Sequence, residues 1–158
     1  MNTAYVALGA NIGDPEATVL AAFAALANLP DSRVVHTSSL YRTAPVGLKH
    51  QPDFINAVAA LETGLDPEGL LDALLDLEAR FGRIRRHRNG PRTLDLDLLL
   101  YNDLELDLPR LTLPHPRLHL RAFVLQPLAE IAPGLAIPGR GSVAAWLPAV
   151  ANQGIDRL

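Results

Sequence analysis

Apolar and polar positions alternate most regularly over residues 92–101, where Leu94, Leu96 and Leu98 interleave with Thr93, Asp95 and Asp97. A period of two predicts a β-strand with the leucines turned to a core and Asp95 and Asp97 side by side on the other face. At about 3.3 Å of rise per residue, the two aspartate Cα atoms lie roughly 6.6 Å apart. Residues 5–9 form a short apolar strand that runs into turn chemistry at 9–15. A helix follows over 15–29, with Asp14 as N-cap, Pro15 in the first helical position, Glu16 at the positive end of the dipole and Val19, Leu20, Phe23, Leu26 and Ala27 on one face. Residues 34–42 and 54–62 read as a second and a third strand. Asp66-Pro67-Glu68 opens a second helix whose apolar face is Leu70, Leu71, Leu74, Leu75 and Leu77. After the acidic strand, 104–108 alternates again, with Asp107 expected in the turn before Pro109; 122–131 and 142–150 are short helices. The order β-α-β-β-α-β predicts an α+β fold, an antiparallel sheet with helices packed on one face.

Composition narrows the class. With 158 residues, 49% of them hydrophobic, the chain is long enough for one domain, 1–158, around a substantial core. There is no cysteine, which removes disulfides and thiolate metal sites. No apolar run reaches membrane-spanning length and the N-terminus lacks the basic start of a signal peptide, so the expectation is a cytoplasmic protein. The net charge of −3 argues against general nucleic-acid binding. It conceals a local excess, because Arg80, Arg83, Arg85, Arg86, Arg88 and Arg92 fall within thirteen positions. A basic patch in an acidic protein points to a confined anion site.

That patch changes the meaning of the acidic strand. By themselves Asp95 and Asp97 could be a solvated strand face, and Glu78 a surface glutamate paired with an arginine. Two oxygen ligands without cysteine suit Mg²⁺, which takes one or two carboxylates and completes its shell with water and substrate phosphate. Arginines supply planar, permanently charged donors for phosphate oxygens. Together they point to phosphoryl-type transfer, in which positioning and charge neutralisation do most of the catalysis. Asn56, polar within an apolar strand, needs a partner if buried; the options are backbone or a heterocycle whose donors and acceptors an amide can match. Residues 43–52, with two prolines and a glycine, and 83–91 are loops able to close over a ligand. His115 sits near Arg110, Thr112, Arg117 and Arg121, which favours an anion-facing role. A ligand-sensing or nucleic-acid-binding module, or a two-metal nuclease, remains open from these residues alone.

The run Gly90-Pro91-Arg92-Thr93-Leu94-Asp95-Leu96-Asp97 resembles the signature of the 6-hydroxymethyl-7,8-dihydropterin pyrophosphokinases of folate synthesis. The likeness continues in Ala7-Leu8-Gly9-Ala10-Asn11-Ile12-Gly13, Ser39-Leu40-Tyr41-Arg42-Thr43, Leu113-Pro114-His115-Pro116-Arg117 and Arg121-Ala122-Phe123-Val124-Leu125. It implies a ferredoxin-like fold and transfer of pyrophosphate from ATP to the pterin hydroxymethyl group, with AMP released. By that resemblance Asp95 and Asp97 hold two Mg²⁺ ions, and Arg83 and Arg92 neutralise charge on the transferring group. Glu78, Arg83, Arg85, Arg92, Leu98, Arg110, Thr112, His115 and Arg121 match ATP-contacting positions. Thr43, Pro45, Val46, Phe54, Asn56 and Phe123 match the pterin pocket, Asn56 reading the heterocycle's edge and Phe123 stacking on it. The implied partners are these two small molecules, without nucleic acid or membrane, and the protein is expected as a monomer. Three positions depart from the pattern: Asn89 stands where a tryptophan is frequent, Leu75 where some members have glutamine, and Phe54 where a tyrosine occurs.

Overall fold

Three strands that touch over their full lengths form the centre of the molecule. The computed structural model describes residues 1–44, 51–82 and 93–158. Along the chain these are β1 (Asn2–Ala10), α1 (Pro15–Ala27), β2 (Ser32–Thr37), β3 (Tyr41–Thr43), β4 (Phe54–Thr63), α2 (Pro67–Arg80) and β5 (Asp95–Tyr101). There follow β6 (Leu106–Leu108), β7 (Leu111–Leu113), α3 (Ala122–Ile131), β8 (Ala136–Ile137), β9 (Gly141–Ser142), α4 (Val143–Trp146) and β10 (Ile155–Arg157). The main sheet runs β10-β3-β4-β1-β5 with every pairing antiparallel, and β2 shares the β3 edge of β4. Strands β1 to β5 with α1 and α2 make the antiparallel α+β core that the element order predicts, in the ferredoxin-like form that the resemblance implies.

Both long helices start as the sequence indicates. The Asp14 carboxylate accepts from the Ala17 N–H at 3.2 Å and the Asp66 carboxylate from the Gly69 N–H at 2.7 Å, with proline at the first position in each case. They cover one face of the sheet, where Val19, Ala22, Leu26, Leu70, Leu74 and Leu77 pack on Val6, Leu8, Ala57, Ala59, Leu94, Leu96 and Leu98.

Four details depart from the periodicity. Helices lie on both faces rather than one: α3 and α4 bury Val124, Leu125, Leu128 and Val143 against Ala7, Val58, Leu99 and Leu100 on the second face. The alternation of β5 slips, since Tyr5 opposes Leu100 while Val6 opposes Leu98, leaving Leu99 as the extra residue of a bulge. Tyr101 thereby joins Leu98 on the α1/α2 side. The strand expected over 34–42 is split, because Ser38 breaks it: its hydroxyl accepts from the Val58 N–H at 2.9 Å and donates to the Ser39 carbonyl at 2.8 Å. Asp107 is not in a turn but in β6, opposite Thr112, and the hairpin turns at Pro109 and Arg110. No helix among the described residues is long and apolar enough to cross a membrane.

Candidate active site

The second face of the sheet is apolar only over half its length. Toward the end of β1 its residues form two cross-strand rows, Val58–Ala7–Asp97 and Asn56–Gly9–Asp95. The central position of each row carries almost no side chain, so the polar groups of β4 and β5 look across a shallow floor. At Gly9 there is little room for more: a Cβ would come within 3.2 Å of the Asn56 Oδ1. Asn56 is 5% exposed, and its Nδ2 donates to the Thr43 Oγ1 at 2.8 Å. The amide thus has a protein partner on one side and faces the cavity with the rest. Asn11, at the end of β1, donates to the Gln51 Oε1 at 2.8 Å and the Pro52 carbonyl at 3.1 Å, tying the approach to β4 to the same strand end.

Opposite this floor stand Arg117, Leu120, Arg121, Phe123 and Gln153, and with Thr43, Ala44 and Phe54 they enclose a cavity of about 520 Å³. The Arg121 guanidinium carbon is 5.3 Å from the centroid of the Phe123 ring, a cation–π distance. Two phenylalanines, one buried amide and an adjoining arginine suit a flat polar heterocycle that carries or acquires negative charge.

A second cleft of about 420 Å³ lies beyond β5, lined by Leu71, Leu75, Glu78, Leu98, Arg110, Thr112, His115 and Pro116. Among the described residues, the two cavities share only Asp95 and Asp97. The carboxylate pair therefore stands on the border between an aromatic pocket and a polar cleft.

The cleft's side chains are held individually. Arg110 pairs with Asp72 of α2 across an exposed rim. His115 docks through its backbone N–H on the Leu99 carbonyl at 2.9 Å, and its Nδ1 accepts from the Arg117 N–H at 3.2 Å. Burial first, then the positive charges of Arg121 and Arg117, push its pKa down to about 4, against the opposing effect of Asp95. The ring is neutral at pH 7, and with Nδ1 accepting it keeps its proton on Nε2 as a donor. Glu78 is not the surface residue its pattern allows: it is 3% exposed, and its Oε2 accepts from the Leu96 N–H at 2.7 Å, between the two aspartates in sequence. It fixes the backbone that carries the pair.

The described residues so bring the expected groups into two sets. Thr43, Phe54, Asn56 and Phe123 line the aromatic cavity; Glu78, Leu98, Arg110, Thr112 and His115 line the cleft; Asp95 and Asp97 belong to both. Arg121 falls in the aromatic cavity rather than with the other ATP-matched residues. Arg83, Arg85, Arg92, Pro45 and Val46 lie outside the described residues. Sequence reasoning missed Ala7, Leu120 and Gln153 as lining residues. Ala7 carries a signal, as Gly9's neighbour in the strand and as part of the stretch 7–13 that resembles the family; Leu120 and Gln153 sit in aperiodic segments.

The donor set fits magnesium in a substrate-completed form. Among the described residues no three His, Cys, Asp or Glu side chains cluster, so Asp95 and Asp97 offer two carboxylates and not a closed cage. That is the protein share usual for a Mg²⁺ that also binds substrate phosphates.

Residues 5–133 match the family described as 7,8-dihydro-6-hydroxymethylpterin-pyrophosphokinase (HPPK). The chain is 49% identical over 154 residues to the 2-amino-4-hydroxy-6-hydroxymethyldihydropteridine pyrophosphokinase of Pseudomonas aeruginosa, covering 98% of this chain and 95% of that protein. It is 46% identical over 158 residues to the protein of the same name from Methylorubrum extorquens, covering 100% and 99%. A crystal structure of Plasmodium falciparum HPPK-DHPS with pterin and p-hydroxybenzoate superimposes with a TM-score of 0.75 at 15% identity. The match covers 99% of this chain and 46% of that longer one, a likeness of fold alone.

Proposed function

Because the chain belongs to the 7,8-dihydro-6-hydroxymethylpterin-pyrophosphokinase family of folate biosynthesis, we propose that it moves the β,γ-pyrophosphate of ATP onto the hydroxymethyl oxygen of the dihydropterin and releases AMP. The observation that carries this reading is the shared border: the two cavities have only Asp95 and Asp97 in common among the described residues. A two-substrate transfer needs two adjoining sites with the reacting atoms at their junction. The aromatic cavity suits the pterin, and the cleft with Arg110, Thr112 and His115 suits the triphosphate.

In this reading the pterin ring lies over Ala7 and Gly9, with Phe54 and Phe123 against its faces and Asn56 at its edge. Its hydroxymethyl oxygen points toward the carboxylates and attacks the β-phosphorus. The new bond is from that oxygen to phosphorus, the hydroxyl proton is released to water, the broken phosphorus bond is to the bridging oxygen of AMP, and AMP leaves as the anion. Asp95 and Asp97 would hold two Mg²⁺ ions, which supply charge neutralisation on the triphosphate when bound. The Nε2–H of neutral His115 donates to a phosphate oxygen, and Arg121 faces the pyrophosphate from the pterin side. Arg83, Arg85 and Arg92 complete the neutralisation in this proposal, with Arg83 and Arg92 nearest the transferring group, and Pro45 and Val46 close the pterin pocket. A loose transition state places little demand on a general base, in keeping with a junction that offers carboxylates and arginines. The protein acts as a cytoplasmic monomer on small molecules, without nucleic acid or membrane.

The test is to incubate the protein with Mg²⁺, ATP and 6-hydroxymethyl-7,8-dihydropterin and identify the nucleotide product. Pterin-dependent AMP is expected, and its loss on chelation with EDTA. ADP as product, or turnover independent of the pterin, overturns the proposal.

A further inference from the structure

The helix that carries Phe123 begins without a cap of its own. Arg121 occupies the N-cap position of α3 in an extended conformation (φ −125°, ψ 117°) and makes no capping bond with its side chain. The first helical N–H, that of Ala122, is instead taken by the Gln153 Oε1 at 2.9 Å, from a residue 31 positions away. The same carboxamide donates through Nε2 to the Leu120 carbonyl at 2.9 Å. One planar group thus binds the backbone on both sides of Arg121, with an acceptor toward Ala122 and a donor toward Leu120. A carboxamide carries the acceptor and the donor on separate atoms of one planar end, so it can span the two backbone groups.

Gln153 is itself mounted on core. Its N–H donates to the carbonyl of Val150 at 3.0 Å, and Val150 is buried with Val143, Leu125 and Leu128. Two residues later the chain enters β10, where Ile155 pairs with Thr43, the residue whose hydroxyl holds the Asn56 amide. The segment from 150 to 155 therefore connects the two walls of the aromatic cavity, and Gln153 lines that cavity beside Arg121 and Phe123. It lies beyond the residues matched by the family, 5–133.

We infer that Gln153 is a positioning residue for the aromatic cavity: by clamping the backbone on either side of Arg121 it sets where Arg121 and Phe123 stand relative to Asn56. This rests on the reading of that cavity as the pterin site. Without the clamp the Leu120–Ala122 backbone is free to turn, the Ala122 N–H must find water, and the wall opposite Asn56 loosens. The cleft that takes the nucleotide shares no residue with the clamp, and Arg121 meets the pyrophosphate only from the pterin side, so the effect falls chiefly on the pterin.

The test compares wild type with Gln153→Met, which keeps length and removes both bonds, and with Gln153→Glu, which keeps only the acceptor. Calorimetry measures a non-hydrolysable ATP analogue on the free protein, then the dihydropterin on the analogue complex. Expected for Gln153→Met is pterin binding weakened roughly 5- to 10-fold, from two partly exposed hydrogen bonds, with analogue binding changed less than twofold. Gln153→Glu sets a carboxylate oxygen against the Leu120 carbonyl and is expected to weaken pterin binding at least as much. Amide hydrogen exchange at Ala122 should accelerate in Gln153→Met while Leu125 and Leu128 keep their protection, which shows that α3 remains folded. Unchanged pterin binding, or equal weakening of both ligands, overturns the inference. Wild type that binds the analogue but no pterin overturns the reading of the cavity, and the inference with it.

Discussion

The two faces of the central strands are made from alternate residues of the same segments, yet they do different work. On the α1/α2 side Ala4, Val6, Leu8 and Ala10 of β1 meet Ile55, Ala57, Ala59 and Leu61 of β4 and Leu94, Leu96 and Leu98 beside them, an apolar surface from end to end. On the other side the surface is apolar only where α3 and α4 cover it, and then passes through Ala7 and Gly9 to Asn56, Asp95 and Asp97. Packing on the first face fixes the strands, so the second can hold two adjacent carboxylates that would be poor choices in a core.

This division is sharpest for Asp97. Its replacement by alanine should cost roughly a thousandfold in pterin-dependent AMP release, the several kcal/mol that metal-assisted charge neutralisation supplies. The melting temperature should move by only a few degrees, since removing one of two like charges relieves repulsion in the metal-free protein. A calorimetric scan beside the assay separates the two, and a collapse of both would make Asp97 a structural residue and erase the distinction between faces. Leu26→Ala is the converse change. That side chain is fully buried in α1 on the first face, and its truncation should lower the unfolding free energy by about 3 kcal/mol in urea titration. The KM values for pterin and ATP should stay within twofold of wild type at temperatures where the variant is folded.

How far the sequence reaches follows the same line. The first face is legible because it is periodic: Leu94, Leu96 and Leu98 alternate, Leu70, Leu74 and Leu77 recur at helical spacing, and the Asp-Pro starts at 14 and 66 announce both helices. The second face is legible where a polar residue interrupts an apolar run, as at Asn56, Asp95 and Asp97. It is illegible where the cause is a distant partner. Glu78 is buried with the Leu96 N–H on its carboxylate, a partner that no pattern within α2 records. The bulge at Leu99 resets the alternation of β5 through its register with Tyr5 and Val6. Gln153 enters the site through bonds spanning 31 and 33 residues. That helices cover both faces was hidden for a like reason, because a short amphipathic segment such as α3 shows that it packs and not which face it packs on.

The smallest expected effect tests what secures the second face where packing thins. Near the end of α3 the Glu130 carboxylate accepts from the Ser39 N–H at 2.9 Å, the Ser39 hydroxyl at 2.8 Å and the Tyr41 hydroxyl at 2.7 Å, and lies 3.3 Å from Arg157 of β10. One side chain thus ties α3 to the edge of the sheet where β3 and β10 pair. Burial by itself raises the Glu130 pKa, but the bonds from Tyr41 and Ser39 and the charge of Arg157 outweigh it and hold the pKa below its ordinary value of 4.5. The same contact, after burial, pushes the Tyr41 hydroxyl up to about 12. The folded state therefore favours the ionised carboxylate. Its contribution is fully present above pH 4.5 and is lost as the pH falls through the lower folded pKa. Glu130→Gln should be about 1–2 kcal/mol less stable than wild type at pH 7, the scale of hydrogen bonds to a charged group at a partly exposed site. The gap should close on acidification below pH 4.5, because only wild type has a charge to lose there. Urea unfolding of both proteins from pH 7 to pH 3 measures it. A gap that stays constant over that range would mean that Glu130 acts through packing, and that the second face is held in the same way as the first.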